Sequence, residues 1–240
     1  MKNVKTLQAV VLDMDGVIID SHAAHRQAWK EFLQTQGREV SDGELDYILD
    51  GHKRTDILQH FLGRLSEKQL VSYGKRKDDL FRQATPSVKP VAGVVKFLRH
   101  LKQHRISTSV ATSASQVRTK ATLDGMGLSQ YFDFIVTGND VTLGKPDPAI
   151  YCLCCERLRV SPKNALAIED AVSGIQAARS AGLRCIGMVS HEVPQKLRAA
   201  GAEHLIRSFH GLSVNSLEKL LHQTAPANGS DRAKVRTSSK

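Results

Sequence analysis

Six short apolar runs bounded by charged or turn-forming residues constrain this chain most. They are "LQAVVLD" from Leu7, "ISTSVAT" from Ile106, "DFIVTG" from Asp133, "NALAIED" from Asn164, "RCIGMVS" from Arg184 and "EHLIRS" from Glu203. They lack the strict apolar–polar alternation of a sheet with one wet face, which suits parallel strands covered on both sides. Helical patterns lie between them. "GVVKFLRHLKQH" places Val94, Phe97, Leu98 and Leu101 on one face. "DAVSGIQAARSAG" does the same with Ile175, Ala178 and Arg179 and stops at Gly182, a C-terminal cap signal. Strand and helix in alternation predict an α/β, doubly wound, Rossmann-like parallel sheet.

One insertion breaks that rhythm directly after the first run. From Ser21 to Ala84 only helical patterns occur: "AHRQAWKEFLQTQG" ending at Gly37, "SDGELDYILDG", "RTDILQHFLG" and "SEKQLVSYGKRKDDLF". Ser41 with Glu44 and Ser66 with Gln69 stand in capping-box spacing. The chain returns through "TPSVKPVAG", where Pro86 and Pro90 predict an extended linker. The expected organisation is a Rossmann-like core from residues 1–20 and 86–223, an inserted helical cap over 21–85, and a disordered basic tail over 224–240. A chain of 240 residues is long enough for a core with a smaller companion.

Composition narrows the function classes. No apolar stretch approaches the about 20 residues of a membrane span, and the N-terminus lacks a signal-peptide pattern, so no membrane association and a cytoplasmic location are expected. Net charge is +10, part of it in the tail, where Arg232, Lys234, Arg236 and Lys240 face only Asp231. The other cations are scattered without interleaved aromatics, which argues against nucleic acid but would attract an anionic small molecule. Cys152, Cys154 and Cys155 crowd one helical stretch, and with Cys185 they form no paired metal-ligand spacing, so reduced, partly buried thiols are expected.

In an open α/β sheet, ligands bind outside the carboxyl ends of the strands. Polar residues gather at those ends: Asp13 and Asp15 after the first run, Thr112 and Ser113 after the second, Lys145 beyond the third, and Glu169 and Asp170 ending the fourth. Burying so many acids with one lysine is costly without a charged ligand. A magnesium ion and a phosphate would complete the set.

The motifs "DMDG", "VATS", "GKPDP" and "IEDAVSGIQAA", in this order and spacing, resemble the haloacid dehalogenase superfamily, in its phosphatase and phosphomutase branch with a helical cap. The resemblance runs to about Leu221 and implies an enzyme, a phosphoric monoester hydrolase. Asp13 would be the nucleophile that forms an aspartyl-phosphate, and Asp15 the general acid and then base, one carboxyl ionised and the other protonated at the start. Thr112 and the amide of Ser113 would hold the phosphate, with Lys145 neutralising charge. Mg2+ would be bound by Asp13, the main-chain carbonyl of Asp15 and Asp170, with Glu169 acting mainly through water. Asp15 excludes hydrolytic dehalogenation, which needs no second acid. Arg54, at the cap position where phosphonate-cleaving relatives carry an imine-forming lysine, excludes that activity.

Specificity is expected from the cap, where His25, Arg54 and Lys77 resemble the polar residues of sugar-phosphate enzymes. Arg54 suits bidentate recognition of a distal phosphate or carboxylate. The loop "SASQVRTK" departs from the mutase pattern, lacking its Lys-Asn pair. The expected substrate is a small phosphorylated metabolite, a sugar phosphate foremost, hydrolysed by a monomer or weak oligomer. β-Phosphoglucomutase activity is the alternative, and a non-catalytic binding protein on the same fold a remote one.

Overall fold

The computed structural model describes residues 6–222. Eight strands are β1 (Ala9–Leu12), β2 (Ile19–Asp20), β3 (Lys89–Pro90), β4 (Ser107–Ala111), β5 (Phe134–Val136), β6 (Ala165–Glu169), β7 (Arg184–Met188) and β8 (His204–Ile206). The helices are α1 (His22–Thr35), α2 (Asp46–Leu49), α3 (Arg54–Leu62), α4 (Glu67–Ala84), α5 (Val94–Gln103), α6 (Gln116–Gly125), α7 (Ala149–Leu158), α8 (Val172–Ser180), α9 (Pro194–Ala199) and α10 (Val214–His222).

All six apolar runs become strands of one parallel sheet, in the order β5-β4-β1-β6-β7-β8. Alternate residues of β1 enter different cores, as a strand buried on both faces requires. Val10 and Leu12 pack with Phe97, Leu98 and Leu101 of α5, while Ala9 and Val11 pack with Ile150 and Tyr151 of α7 and Ile175 of α8. The chain runs outward from β1 to β4 and β5, then returns to place β6 on the other side of β1. That reversal opens a crevice at the carboxyl ends of β1, β4 and β6.

The helices α1 to α4 form the inserted cap around their own apolar cluster, which includes Trp29, Phe32, Leu33, Leu58 and Phe61. The Ser66–Gln69 capping box heads α4 as its spacing predicts. The Ser41–Glu44 box also forms, with Ser41 N–H donating to Glu44 Oε2 at 2.9 Å, yet the segment makes successive turns and only the four-residue α2. Gly43 lies inside that first turn, where its backbone freedom opposes helix propagation, and a single capped turn does not outweigh this.

The return linker is extended from Val88 to Pro90, as expected, but not before it. Thr85–Ser87 is a 3-10 turn containing Pro86, and Pro90 lies in β3, paired antiparallel with β2 through Ile19↔Pro90 and Asp20↔Lys89. Two-residue strands are too short to carry an apolar pattern, and Pro is tolerated in a two-stranded ribbon because one of its edges needs no donor. All four cysteines are free thiols, with Cys152 exposed and the others buried. Among the described residues no helix is long and apolar enough to cross a membrane. The expected tail over 224–240 lies outside the described residues.

Trp29 is the single tryptophan of the chain, and it reports on the cap. Phe32, fully buried beside it with ring centroids 5.9 Å apart, fills that cluster. Phe32→Ala is expected to lower stability by about 3–5 kcal/mol through the lost burial and the cavity left behind. Urea denaturation followed by Trp29 fluorescence measures it.

Candidate active site

Strand register sets the floor of the site. Leu12 is level with Val110 and with Ile168, so Asp13 is level with Ala111 and Glu169 one residue further on. The Asp13 N–H donates to Ile168 O at 3.0 Å, which extends the ladder and holds the carboxylate at the crevice. Lys145 arrives from the loop after β5 and is only 3% exposed. Its ammonium donates to Asp13 Oδ1 at 2.5 Å, Glu169 Oε1 at 2.5 Å and Ala111 O at 3.0 Å, which uses all three of its protons. Burial opposes the charge on Lys145, but Asp13 and Glu169 hold it strongly protonated.

Glu169 is more committed than the sequence reading supposed. Oε1 also accepts from the Tyr151 hydroxyl at 2.8 Å, and Oε2 accepts from the N–H groups of Asp170 (3.0 Å) and Ala171 (3.3 Å). With both oxygens occupied, Glu169 serves first as the anchor of Lys145. Tyr151, on the first turns of α7, was not foreseen; its position just after "GKPDP" was the available signal.

Asp15 follows Asp13 on the tight turn at Gly16, whose φ of +76° favours glycine. Its carboxylate accepts two N–H bonds from Arg118, at 3.0 and 2.5 Å, one from the Ser21 hydroxyl at 2.7 Å and one from His25 Nε2 at 3.0 Å. Burial pushes Asp15 up, but Arg118 and His25 outweigh it and hold the carboxyl well below the usual range. Asp13 is pushed well up by burial and by Glu169, Asp170 and Asp15, against the pull of Lys145. In this arrangement Arg118 and His25 favour the ionised form of Asp15, the form that acts as the base. Arg118 is 8% exposed and lies over the Phe81 ring at 4.9 Å. Sequence reasoning missed it because it stands in the first turn of α6 among polar residues, with no periodicity to mark it as inward-facing.

The cap residues form a linked set. His25 donates from Nε2 to Asp15 and accepts at Nδ1 from Lys77 at 3.1 Å, the pattern of a neutral imidazole. Burial and then Lys77 lower its pKa to about 3. Lys77 sits over the rings of Trp29 and Phe81, and burial together with Arg118 lowers it to about 7. Arg54 pairs with Asp78 and donates to Gly74 O at 3.2 Å. Thr112 is buried, its hydroxyl oxygen accepting from Ala114 N–H at 3.2 Å. Ser113 Oγ donates to Gly51 O of the cap at 2.6 Å.

Further contacts fasten the cap to the core. Ser173 Oγ donates to Asp50 O, Ser115 Oγ to Asp78 at 2.9 Å, and Lys53 Nζ to Val141 O at 2.9 Å. Between the two lies a pocket of about 630 Å³, shared with solvent, lined by Asp13, Asp15, Thr112 and Asp170 below and by Arg54 and Lys77 above. Ser113, His25 and Glu169 also line it, and Lys145 lies beneath. Asp13, Glu169 and Asp170 offer carboxylate oxygens within 4.8 Å of one another, with Lys145 as the cation among them. This undercompensated set of hard oxygens suits a divalent cation that prefers oxygen ligands. Asp170 is held low, burial being outweighed by hydrogen bonds from His191 and His22, two residues the sequence reading did not single out.

The buried Lys77 ammonium has a consequence for stability. In the unfolded chain its pKa is about 10.4, so between about pH 7 and 10.4 the unfolded state binds the additional proton and stability rises with pH. Lys77→Met is expected to flatten that rise, measured as urea midpoints at about pH 7 and about pH 10.

The model of the family described as haloacid dehalogenase-like hydrolase matches residues 10–188. The chain is 32% identical over 212 residues to the phosphorylated carbohydrates phosphatase of Thermotoga maritima, covering 87% of this chain and 98% of that protein. It is 30% identical over 227 residues to the β-phosphoglucomutase of Bacillus subtilis, covering 90% and 95%. Among solved structures, a HAD hydrolase, family IA, variant 3, from Entamoeba histolytica superposes with a TM-score of 0.81 at 26% identity, covering 90% and 100%. The family match includes the turn bearing Asp13 and Asp15 and the strand delivering Glu169, and on this basis the chain belongs to the haloacid dehalogenase-like hydrolases.

Proposed function

We propose that this chain is a magnesium-dependent phosphatase of small phosphorylated metabolites, sugar phosphates foremost, acting through an aspartyl-phosphate on Asp13. The observation that carries this reading is the buried Lys145 bridging Asp13 and Glu169 at the floor of a pocket whose roof bears Arg54 and Lys77. A nucleophilic carboxylate is oriented below, and cations await an anionic substrate above.

In the first step a carboxylate oxygen of Asp13 attacks phosphorus, and the alkoxide leaves with a proton from Asp15. Lys145 fixes the orientation of Asp13 and offsets charge as the phosphoryl group arrives, while Thr112 and the amide of Ser113 hold its oxygens. Asp15 then takes a proton from water, and the hydroxide attacks phosphorus to release phosphate and restore Asp13. The contacts from Arg118 and His25 favour the ionised Asp15 that this second step needs. To serve as the acid in the first, Asp15 takes up a proton from solvent before the ester bond breaks. Asp13, the main-chain carbonyl of Asp15 and Asp170 would hold magnesium, which supplies positive charge for the transferring phosphoryl group.

Hydrolysis is favoured over isomerisation by the segment from Ser113 to Arg118. Three of its polar side chains already have protein acceptors, Ser113 on Gly51, Ser115 on Asp78 and Arg118 on Asp15, which leaves them less free to capture a returning sugar. The similarity to the Bacillus subtilis mutase keeps β-phosphoglucomutase as the second reading.

A panel of phosphomonoesters assayed for phosphate release should show turnover of phosphorylated sugars, with little glucose 6-phosphate formed from β-glucose 1-phosphate primed with the 1,6-bisphosphate. Isomerisation outrunning phosphate release more than about tenfold makes the mutase the correct reading. Asp13→Asn should retain the circular dichroism of the wild type and lose at least about a thousandfold in turnover. Chelation should abolish activity, and Asp170→Ala should raise the magnesium midpoint and lower the maximal rate; an unchanged midpoint and rate would remove Asp170 from the metal site.

A further inference from the structure

We propose that His22, His191 and Asp170 form a second divalent-cation site beside the carboxylate cluster, one that takes imidazole-preferring metals of the zinc class. Three separate elements deliver these residues: His22 opens α1, Asp170 follows β6, and His191 lies in the turn after β7. Their ligand atoms lie within 4.8 Å of one another. His22 Nε2 is 3.0 Å and His191 Nδ1 3.3 Å from the same oxygen, Asp170 Oδ2. A tetrahedral zinc with bonds of about 2.0–2.1 Å has ligand–ligand edges of about 3.3 Å, so little movement separates this arrangement from a metal site.

Two further observations favour a cation over a plain hydrogen-bonded carboxylate. Oδ2 also accepts from the Ser190 hydroxyl at 2.7 Å, and that hydroxyl oxygen lies 3.1 Å from His191 Nδ1, so three polar groups crowd one carboxylate oxygen. With Nδ1 turned towards Asp170, the Nε2 atom of His191 is buried without a hydrogen-bond acceptor or donor beside it. Gly16 packs directly on the cluster, where a Cβ would overlap Asp170 Oδ2 and the His22 ring, so the chain keeps this corner free of a side chain. His22 and Asp170 line the pocket, which gives an ion a route in.

The two sites differ in chemistry. The Asp13–Glu169–Asp170 cluster offers only oxygens, whereas the new site offers two imidazoles and one carboxylate, a set that suits zinc, nickel or copper. Asp170 belongs to both. Zinc held by the histidines therefore draws on a carboxylate that the proposed magnesium site needs, and zinc should inhibit phosphate release; that last consequence alone rests on the proposed function.

The test is binding of zinc itself. His100 and His104 on α5 have ring centroids 4.2 Å apart and could take zinc separately, so His104→Gln serves as the background. Isothermal titration of that full-length protein with zinc, in saturating magnesium, should show one site, weakened at least about tenfold by His22→Gln and by His191→Gln. Zinc affinity unchanged in both variants, or no stoichiometric binding in the background protein, overturns the proposal and leaves the histidines as hydrogen-bond donors to Asp170. X-ray absorption of the zinc-loaded background protein, which needs no change at the site, should show imidazole scattering from two ligands. A first shell of oxygen alone overturns it as well.

Discussion

The buried ammonium of Lys145 is the interaction on which the rest of the site depends. It joins the loop after β5 to the ends of three strands through Asp13, Ala111 and Glu169. Removing it would leave Asp13 and Glu169 as adjacent, uncompensated buried acids, a loss on the scale of about 3–5 kcal/mol for one broken buried pair. The same contact orients the Asp13 carboxylate. Stability of the crevice and the pose of that carboxylate therefore rest on one residue, itself held through Glu169 by Tyr151 and two backbone N–H groups.

Above that floor, charge is arranged as alternating layers. Asp15 accepts from Arg118 and His25, His25 accepts from Lys77, and Asp78 accepts from Arg54 and Ser115. Cap and core thus share one polar network across the pocket. Each cation over the pocket already has a local acceptor or aromatic ring, so an anionic substrate enters by exchange of contacts. Exchange rather than simple loss of contacts is required, since leaving any of these buried groups without an opposite charge is costly.

Much of the fold was legible because its determinants are local and repeated. The six apolar runs, the helical faces at Val94–Leu101 and Ile175–Ala178, and the Ser66–Gln69 cap are short-range signals that the tertiary structure only had to assemble. The β2–β3 pair was illegible because two-residue strands carry no period, and α2 is short because Gly43 and a single capping box pull in opposite directions.

By itself the sequence determined the residue types at the strand ends: two aspartates after β1, a hydroxyl after β4, a lysine beyond β5 and two acids ending β6. Spacing along each segment suffices for that, because strand register carries those positions to one level. Only the tertiary structure decided which charges meet. Arg118 is remote from Asp15 in sequence, yet its bidentate contact favours the ionised form of that carboxyl; Tyr151, His22 and His191 likewise gain their meaning from neighbours on other elements. Electrostatic environment depends on distances and burial set by packing, and no local pattern in the chain encodes them.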